Sequence, residues 1–228
     1  MKHVMKYLFS FLLLLSFQGN ATAQLSEKAQ ISLLTCAAGE DIYSLFGHSA
    51  IRIYDPVNNI DNCYNWGMFE FDEDQVEFAT KFTKGRLKYY MDEQYFTEFM
   101  WEYDYFQRTV KEQVLNLTHS QKQDLWYALQ ENYLPENRVY KYDFFFDNCA
   151  TRIRDILQNV MGENLVLKAH PNENEYSLRE LLNNTVAHMP WLGLGMDLAL
   201  GSKVDVKADN NKMMFLPKYM YEIYSESA

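Results

Sequence analysis

Tyr142-Asp143-Phe144-Phe145-Phe146-Asp147-Asn148-Cys149-Ala150-Thr151-Arg152-Ile153-Arg154-Asp155 is the stretch whose reading decides the fold. The aromatic run reads as the end of a buried strand over 139–146. It stops at Asp147 and Asn148, side chains that cap a helix by accepting from its unpaired first N–H groups. Cys149 then stands in the first helical turn, and Ile153, Ile156, Leu157 and Val160 recur at the spacing of one apolar helix face. This order puts a thiol among free N–H groups at the positive end of a helix dipole, which favours the nucleophilic thiolate. The plain alternative is a small buried core cysteine, the common fate of an unpaired Cys.

The segments before this stretch read as an antiparallel meander. An apolar strand is expected at 31–35, then a loop bounded by glycines to Gly47, then an alternating β-branched strand at 48–54. Asp55-Pro56-Val57-Asn58-Asn59 is a turn, and a third strand follows at 63–71. A helix with an acidic first turn is expected at 72–84, a strand at 87–91, a helix at 95–103 and a strand at 107–115. Thr118 caps a helix to about 132, with Gln121 placed to complete a capping box. Beyond the Cys149 helix, helices are expected at 177–184, 191–200 and 216–224, with polar turns over 201–211. Strands and helices intermix, hairpins come first, and no repeat or internal boundary shows. The class is therefore α+β, an antiparallel sheet with packed helices, as one domain over 24–228.

Residues 1–23 read as a secretory signal. Lys2 and Lys6 precede an apolar core at 8–17, and Ala21-Thr22-Ala23 is a small-residue cleavage site leaving Gln24 as the new N-terminus. The expected location is the periplasm. The apolar core is too short to span a bilayer comfortably, and no later stretch reaches spanning length. A formal net charge of −10 argues against nucleic acid and against electrostatic docking on an anionic membrane. The 17 Tyr and 15 Phe serve either core packing or a groove for an apolar ligand. Three cysteines are too few for a disulfide scaffold. No C-x-x-C or H-x-x-x-H spacing occurs, so the reading assigns no metal and no cofactor.

A cysteine nucleophile needs a base within reach and a group to orient that base. His119, His170 and His188 read as surface or capping histidines. His48 opens a strand directly after Gly47, at the mouth of a hairpin. Cys36 is a rival nucleophile: the end of the first strand lies near the start of the second, which places Cys36 beside His48. It lacks a helix N-terminus to acidify it. A Cys36–Cys63 bridge is disfavoured by the same hairpin geometry.

Phe46-Gly47-His48-Ser49-Ala50-Ile51-Arg52, Tyr64-Asn65-Trp66-Gly67-Met68-Phe69 and Asp147 to Asp155 together resemble the periplasmic N-terminal domain of the lipoprotein N-acyltransferases of Gram-negative bacteria. The tail from Met196 to Asp205 and Phe215-Leu216-Pro217 is also similar. The order of His-strand then Cys-helix resembles circularly permuted papain-like folds, including lecithin:retinol acyltransferases and permuted cell-wall-peptidase relatives. The resemblance implies a Cys–His thiol enzyme that passes a fatty acyl group through a thioester, with a phospholipid donor and a lipoprotein acceptor. It implies Cys149 and His48 as the catalytic pair. Asn65 is the implied orienter, with Glu70 as a rival because His48 faces roughly residues 67–70 across the hairpin. Asn148, Tyr43 and Trp191 are the substrate-binding candidates. The family carries transmembrane helices after this domain. Here the expectation is either a fragment of a membrane protein or a soluble relative with a membrane-embedded partner.

Arg152, Arg154 and Asp155 read as structural ion pairs. Asp197, Asp205 and Asp209 do not match the spacing of a calcium loop and read as turns and caps. Two competing functions use different features of the same chain. A thiol hydrolase of cell-wall peptide needs the Cys–His pair but a charged cleft, and a non-catalytic envelope binding module needs neither.

Overall fold

The computed structural model describes residues 24–41, 43–69 and 88–227. The expected signal segment, the helix expected at 72–84 and the rival orienter Glu70 lie outside these residues. Six strands form one antiparallel sheet: β1 (Gln30–Cys36), β2 (His48–Asp55), β3 (Ile60–Met68), β4 (Lys88–Tyr95), β5 (Val110–Val114) and β6 (Val139–Lys141), in the order β5-β1-β2-β3-β4-β6. Seven α-helices occur among the described residues: α1 (Phe96–Tyr105), α2 (His119–Tyr133), α3 (Cys149–Met161), α4 (Leu178–Thr185), α5 (Pro190–Ala199), α6 (Asn210–Met213) and α7 (Pro217–Ser227). The class is α+β, as composition and patterning lead one to expect.

Alternation along the strands sorts the side chains onto two faces. Ile31 and Leu33, Ile51 and Ile53, Tyr64 and Trp66, and Met91 project into the main core with Leu125, Leu129, Ile153, Leu157, Leu181, Leu182 and Met220 of the helices. Leu34, Cys36, Ala50 and Cys63 project the other way and are covered by Phe99 and Tyr103 of α1. The sheet is therefore buried on both faces at its centre, and polar groups there need partners.

The tight register of β1, β2 and β3 sets the site. Cys36 pairs with His48, and Ala50 pairs with Asn65. Between β3 and β4 the register shifts around Gly67, a bulge whose backbone sits at φ +92. The strand expected over 139–146 is shorter than the aromatic run suggests. It ends at Lys141, and Asp143 to Asp147 close a turn in which the Asp143 carboxylate accepts from the N–H groups of Phe145 and Phe146. The Asp side chain replaces the ladder partner that a continuing strand needs, while Phe144 and Phe145 pack edge-on and tilted against Phe215.

At the opposite end of the β2–β3 hairpin, buried Asp55 ties down the start of the domain. Its carboxylate accepts from the Ser26 N–H at 2.6 Å and the Ser26 hydroxyl at 2.5 Å. It also takes the N–H groups of Val57 and Asn58 and the Asn58 amide. Burial works against the charged form, but the Ser26 and backbone donors outweigh it and hold the carboxyl below its ordinary value of 3.8. A depressed folded-state value stabilises the fold above about pH 4, and that stability is lost as the pH falls through the folded-state value. Asp55→Asn should cost about 1–3 kcal/mol by leaving donors facing an NH₂ group. In acid titrations of the melting temperature, the variant should show a smaller fall below about pH 4 than the parent.

Candidate functional site

Asn148 caps α3 and places Cys149 as its first residue. The Asn148 side chain accepts from the Thr151 N–H at 2.9 Å, and the Thr151 hydroxyl in turn accepts from the Asn148 N–H at 2.8 Å. The Asn148 NH₂ group donates to the Phe144 carbonyl at 2.7 Å and the Phe215 carbonyl at 2.8 Å. All of this is buried, so the Asn148 amide is committed to the chain and acts as a post for the cysteine next to it. Asp147 is not the cap. It pairs with Arg152 through two bonds of 2.5 and 2.8 Å, and that guanidinium lies over the Tyr140 ring at 3.8 Å.

His48 is set by Gly47, whose φ of +76 turns the loop sharply into β2. A Cβ at Gly47 would sit 2.7 Å from the Cys36 carbonyl oxygen, so only glycine fits the approach. Asn65 lies on the neighbouring strand, diagonal to His48 and 2 % exposed. Its Oδ1 lies 3.0 Å from His48 Nε2. An amide oxygen only accepts, so Nε2 carries the proton and Nδ1 remains for a second partner. Gly67 lies against the start of α3: a Cβ there would meet the Cys149 Cβ at 3.9 Å, an ordinary contact, so it is the backbone at φ +92 that calls for glycine at the bulge.

His48 thus bonds Asn65, and the Cys149 thiol lies near enough to His48 for each to act on the other's charge. Burial alone would keep the Cys149 thiol protonated. The facing His48 charge and hydrogen bond, with the N–H groups of Ser49 and Ala150, reverse this and lower its pKa below the ordinary 9.0. Burial likewise works against a charged His48, and the Cys149 thiolate with Asn65 reverses that, raising the imidazole above 6.5. The two shifts have one cause, the mutual stabilisation of thiolate and imidazolium. Tyr142 is near enough for burial and the thiolate to push its phenol well up. Tyr142 stacks on Tyr89 at 4.3 Å, Tyr89 meets Phe69 at 5.1 Å, and Phe69 meets Tyr43 at 6.4 Å. An aromatic wall therefore runs from the thiol out to Tyr43, which is exposed and bonds Asp41. Tyr89 carries no local sequence signal that assigns it here; Gly67 stands in the Tyr64–Phe69 motif, and Tyr142 stands in the aromatic run itself.

Cys36 lies opposite His48 in the ladder, but its thiol turns to Tyr103 in the second cluster, where burial pushes it up to about 12. Cys63 is pushed up further still by burial, and all three cysteines are free. Trp191 stands on α5 and is 83 % exposed. Of the remaining histidines, His119 faces Glu27 at 3.6 Å, whereas His170 is buried, not a surface residue: it faces Glu222 at 3.3 Å and packs edge-on against Tyr219. Arg154 pairs with its neighbour Asp155. Asp197 and Asp205 both bind Arg179, and Asp209 caps α6, which accounts for these carboxylates without an ion.

Fold and site define an α+β protein that presents the thiol of a helix's first residue to a strand imidazole and its carboxamide partner. More particularly, the chain belongs to the family of the Lnb N-terminal periplasmic domain, whose model matches residues 18–184. That family is the apolipoprotein N-acyltransferase family, and the matched part is its periplasmic domain. No curated protein and no solved structure matches the chain. No helix among the described residues is long and apolar enough to cross a membrane.

The coupling makes a prediction about reactivity. Iodoacetamide should label Cys149 well ahead of Cys36 and Cys63 at neutral pH, as peptide mass mapping of the folded protein would show. The midpoint of its rate against pH should fall below the ordinary thiol value of 9.0. His48→Ala should move that midpoint upward.

Proposed function

We propose that this domain is a thiol acyltransferase of circularly permuted papain-like architecture. Cys149 is the nucleophile, His48 the base and Asn65 the orienter. The observation that carries this reading is the Asn65–His48–Cys149 sequence of contacts at a helix N-terminus. The amide fixes the imidazole with Nδ1 free, and the imidazole lowers the pKa of a thiol that burial alone would keep protonated.

The Cys149 thiolate attacks the carbonyl carbon of a phospholipid ester. A C–S bond forms, and the carbonyl electron pair moves to oxygen. The Cys149 N–H at the start of α3, which needs no intrahelical partner, donates to the developing oxyanion. Collapse breaks the C–O bond, and the lysophospholipid alkoxide takes its proton from His48. The acceptor amine of a lipoprotein then gives a proton to His48 as it attacks the thioester, and the thiolate leaves. The wall from Tyr142 to Tyr43 supports a fatty chain as substrate, with Tyr43 at its open end. Asn148 takes no part in binding; it holds Cys149.

A second reading has one observation in its favour. An open cavity of about 410 Å³ beside the helix cap is lined by Asp147, Arg152 and Asp155 together with Trp66 and Asn132. Its charge suits a cell-wall peptide, the substrate of a thiol hydrolase.

The test is an acyl-transfer assay with radiolabelled phospholipid and a lipoprotein acceptor, with intact mass recorded before the acceptor is added. A mass increase of one acyl chain, released by hydroxylamine, is expected. Cys149→Ala should abolish it. His48→Ala should lower the rate about a thousandfold, and Asn65→Ala roughly tenfold to a hundredfold. Cys149→Ala with parental activity overturns the mechanism, and release of peptide stems without an acyl adduct selects the second reading.

A further inference from the structure

Helix α5 is built inside out. It spans Pro190–Ala199, holds three Leu, one Met and one Trp, and buries none of its residues. Its inward side is fixed by three contacts. Gly193 comes close to the end of α4, and an added Cβ would lie 3.8 Å from Val186, the residue after that helix. Met196 and Leu200, the residue after the helix, pack against the main core. Asp197, the only ionisable residue of the helix, accepts from Arg179 at 3.0 Å and from the Asn183 amide at 3.0 and 3.1 Å. The one charge is therefore turned toward the protein.

The outward side carries Trp191, Leu194 and Leu198, spaced i, i+3 and i+7 on one stripe and 83, 50 and 81 % exposed. Trp191 and Leu198 are the two most exposed large apolar side chains among the described residues. Water-facing stripes of surface helices are ordinarily polar. From Val186 to Val204 the only Asp, Glu, Lys or Arg residues are Asp197 and Lys203, which cancel, although the chain as a whole is at −10. The exposed aromatic pair on α1, stacked Trp101 and Tyr105, shares its helix with Glu98, Glu102 and Asp104 and no base.

We propose that α5 docks this domain on the zwitterionic surface of a lipid bilayer, lying in the interface with Trp191, Leu194 and Leu198 below the headgroups. Charge and area both favour lipid over protein. The neutral patch on an acidic protein matches a zwitterionic surface, whereas an anionic one repels the rest of the chain. A ten-residue helix about 15 Å long offers less than the roughly 800 Å² per partner that a stable protein interface buries. Interfacial insertion has no such threshold, since each inserted side chain adds its own transfer free energy. An indole at the helix start suits the headgroup level, with its ring in the apolar layer and its N–H in the polar one. The helix lies beyond the matched span of the family, which ends at 184. The proposal is independent of the Cys149 chemistry.

The test is flotation of residues 24–228 with phosphatidylcholine vesicles, with and without phosphatidylglycerol. The parent should float with phosphatidylcholine equally at low and high salt, and less when phosphatidylglycerol is added. Trp191→Ser combined with Leu198→Ser should lower the partition coefficient about tenfold or more. Trp101→Ser should leave it unchanged, and Cys149→Ala should float like the parent, which separates docking from catalysis. Brominated lipid should quench a tryptophan in the parent that Trp191→Ser lacks. An unchanged Cys149 alkylation rate verifies that the double variant is folded. A parent that does not float, a double variant that floats as well as the parent, or flotation that requires phosphatidylglycerol overturns the proposal. So does a parental dimer, seen by sedimentation, that the double variant abolishes; that result assigns the stripe to a second copy of the chain.

Discussion

The buried carboxamide of Asn148 is the constraint on which the site depends. It joins three parts of the chain that are distant in sequence or direction: the turn through Phe144, the first free N–H groups of α3 and the corner at Phe215 before α7. A carboxamide donates twice and accepts at the same point, which neither a carboxylate nor a hydroxyl can do. Each bond contributes modestly, about 1 kcal/mol, but its loss in a dry site strands a backbone group at a larger cost. The residue after this post has little freedom left, and that residue is Cys149.

Environment then divides three chemically identical thiols. Cys36 and Cys63 sit against α1 in an apolar cluster, where burial favours the neutral form. Cys149 is also enclosed, yet it faces a histidine and two backbone donors, so the charged form is the favoured one. Cys36 lies directly across the ladder from His48, but its thiol bonds Tyr103, and proximity along the backbone does not make a pair. Two glycines make the successful pairing possible. Gly47 turns the chain against the Cys36 carbonyl, and Gly67 supplies the positive φ of the bulge that lies against Cys149.

The aromatic surplus is divided between two tasks. Most of it closes the core and the wall beside the thiol, where edge-on and tilted rings fill space that aliphatic side chains would leave open. Part of the remainder faces outward on two helices, on α1 among acids and on α5 among neutral residues. This contrast in charge distinguishes the two exposed surfaces, although their apolar content is similar.

The sequence by itself determined the elements whose signals are local. The cap at Thr118, the α-helix beginning at Cys149, and the alternation of β2 are all read from neighbouring residues, because capping and pleat periodicity act over a few positions. It also placed His48 at a strand start and pointed to Asn65 through the motif resemblance, while strand arithmetic alone left Glu70 level with it. Tertiary structure decided the rest. The Phe144-Phe145-Phe146 run has the composition of a strand but forms a turn, since the Asp143 carboxylate and the Phe215 ring offer it better partners than a sheet edge. Asn148 became a buried post because the Phe215 carbonyl, 67 residues away, arrives at its amide. Which thiol meets the imidazole depends on a bulge at Gly67 and on the crossing of α3 over the sheet, and such long-range approach leaves no periodic trace in the chain.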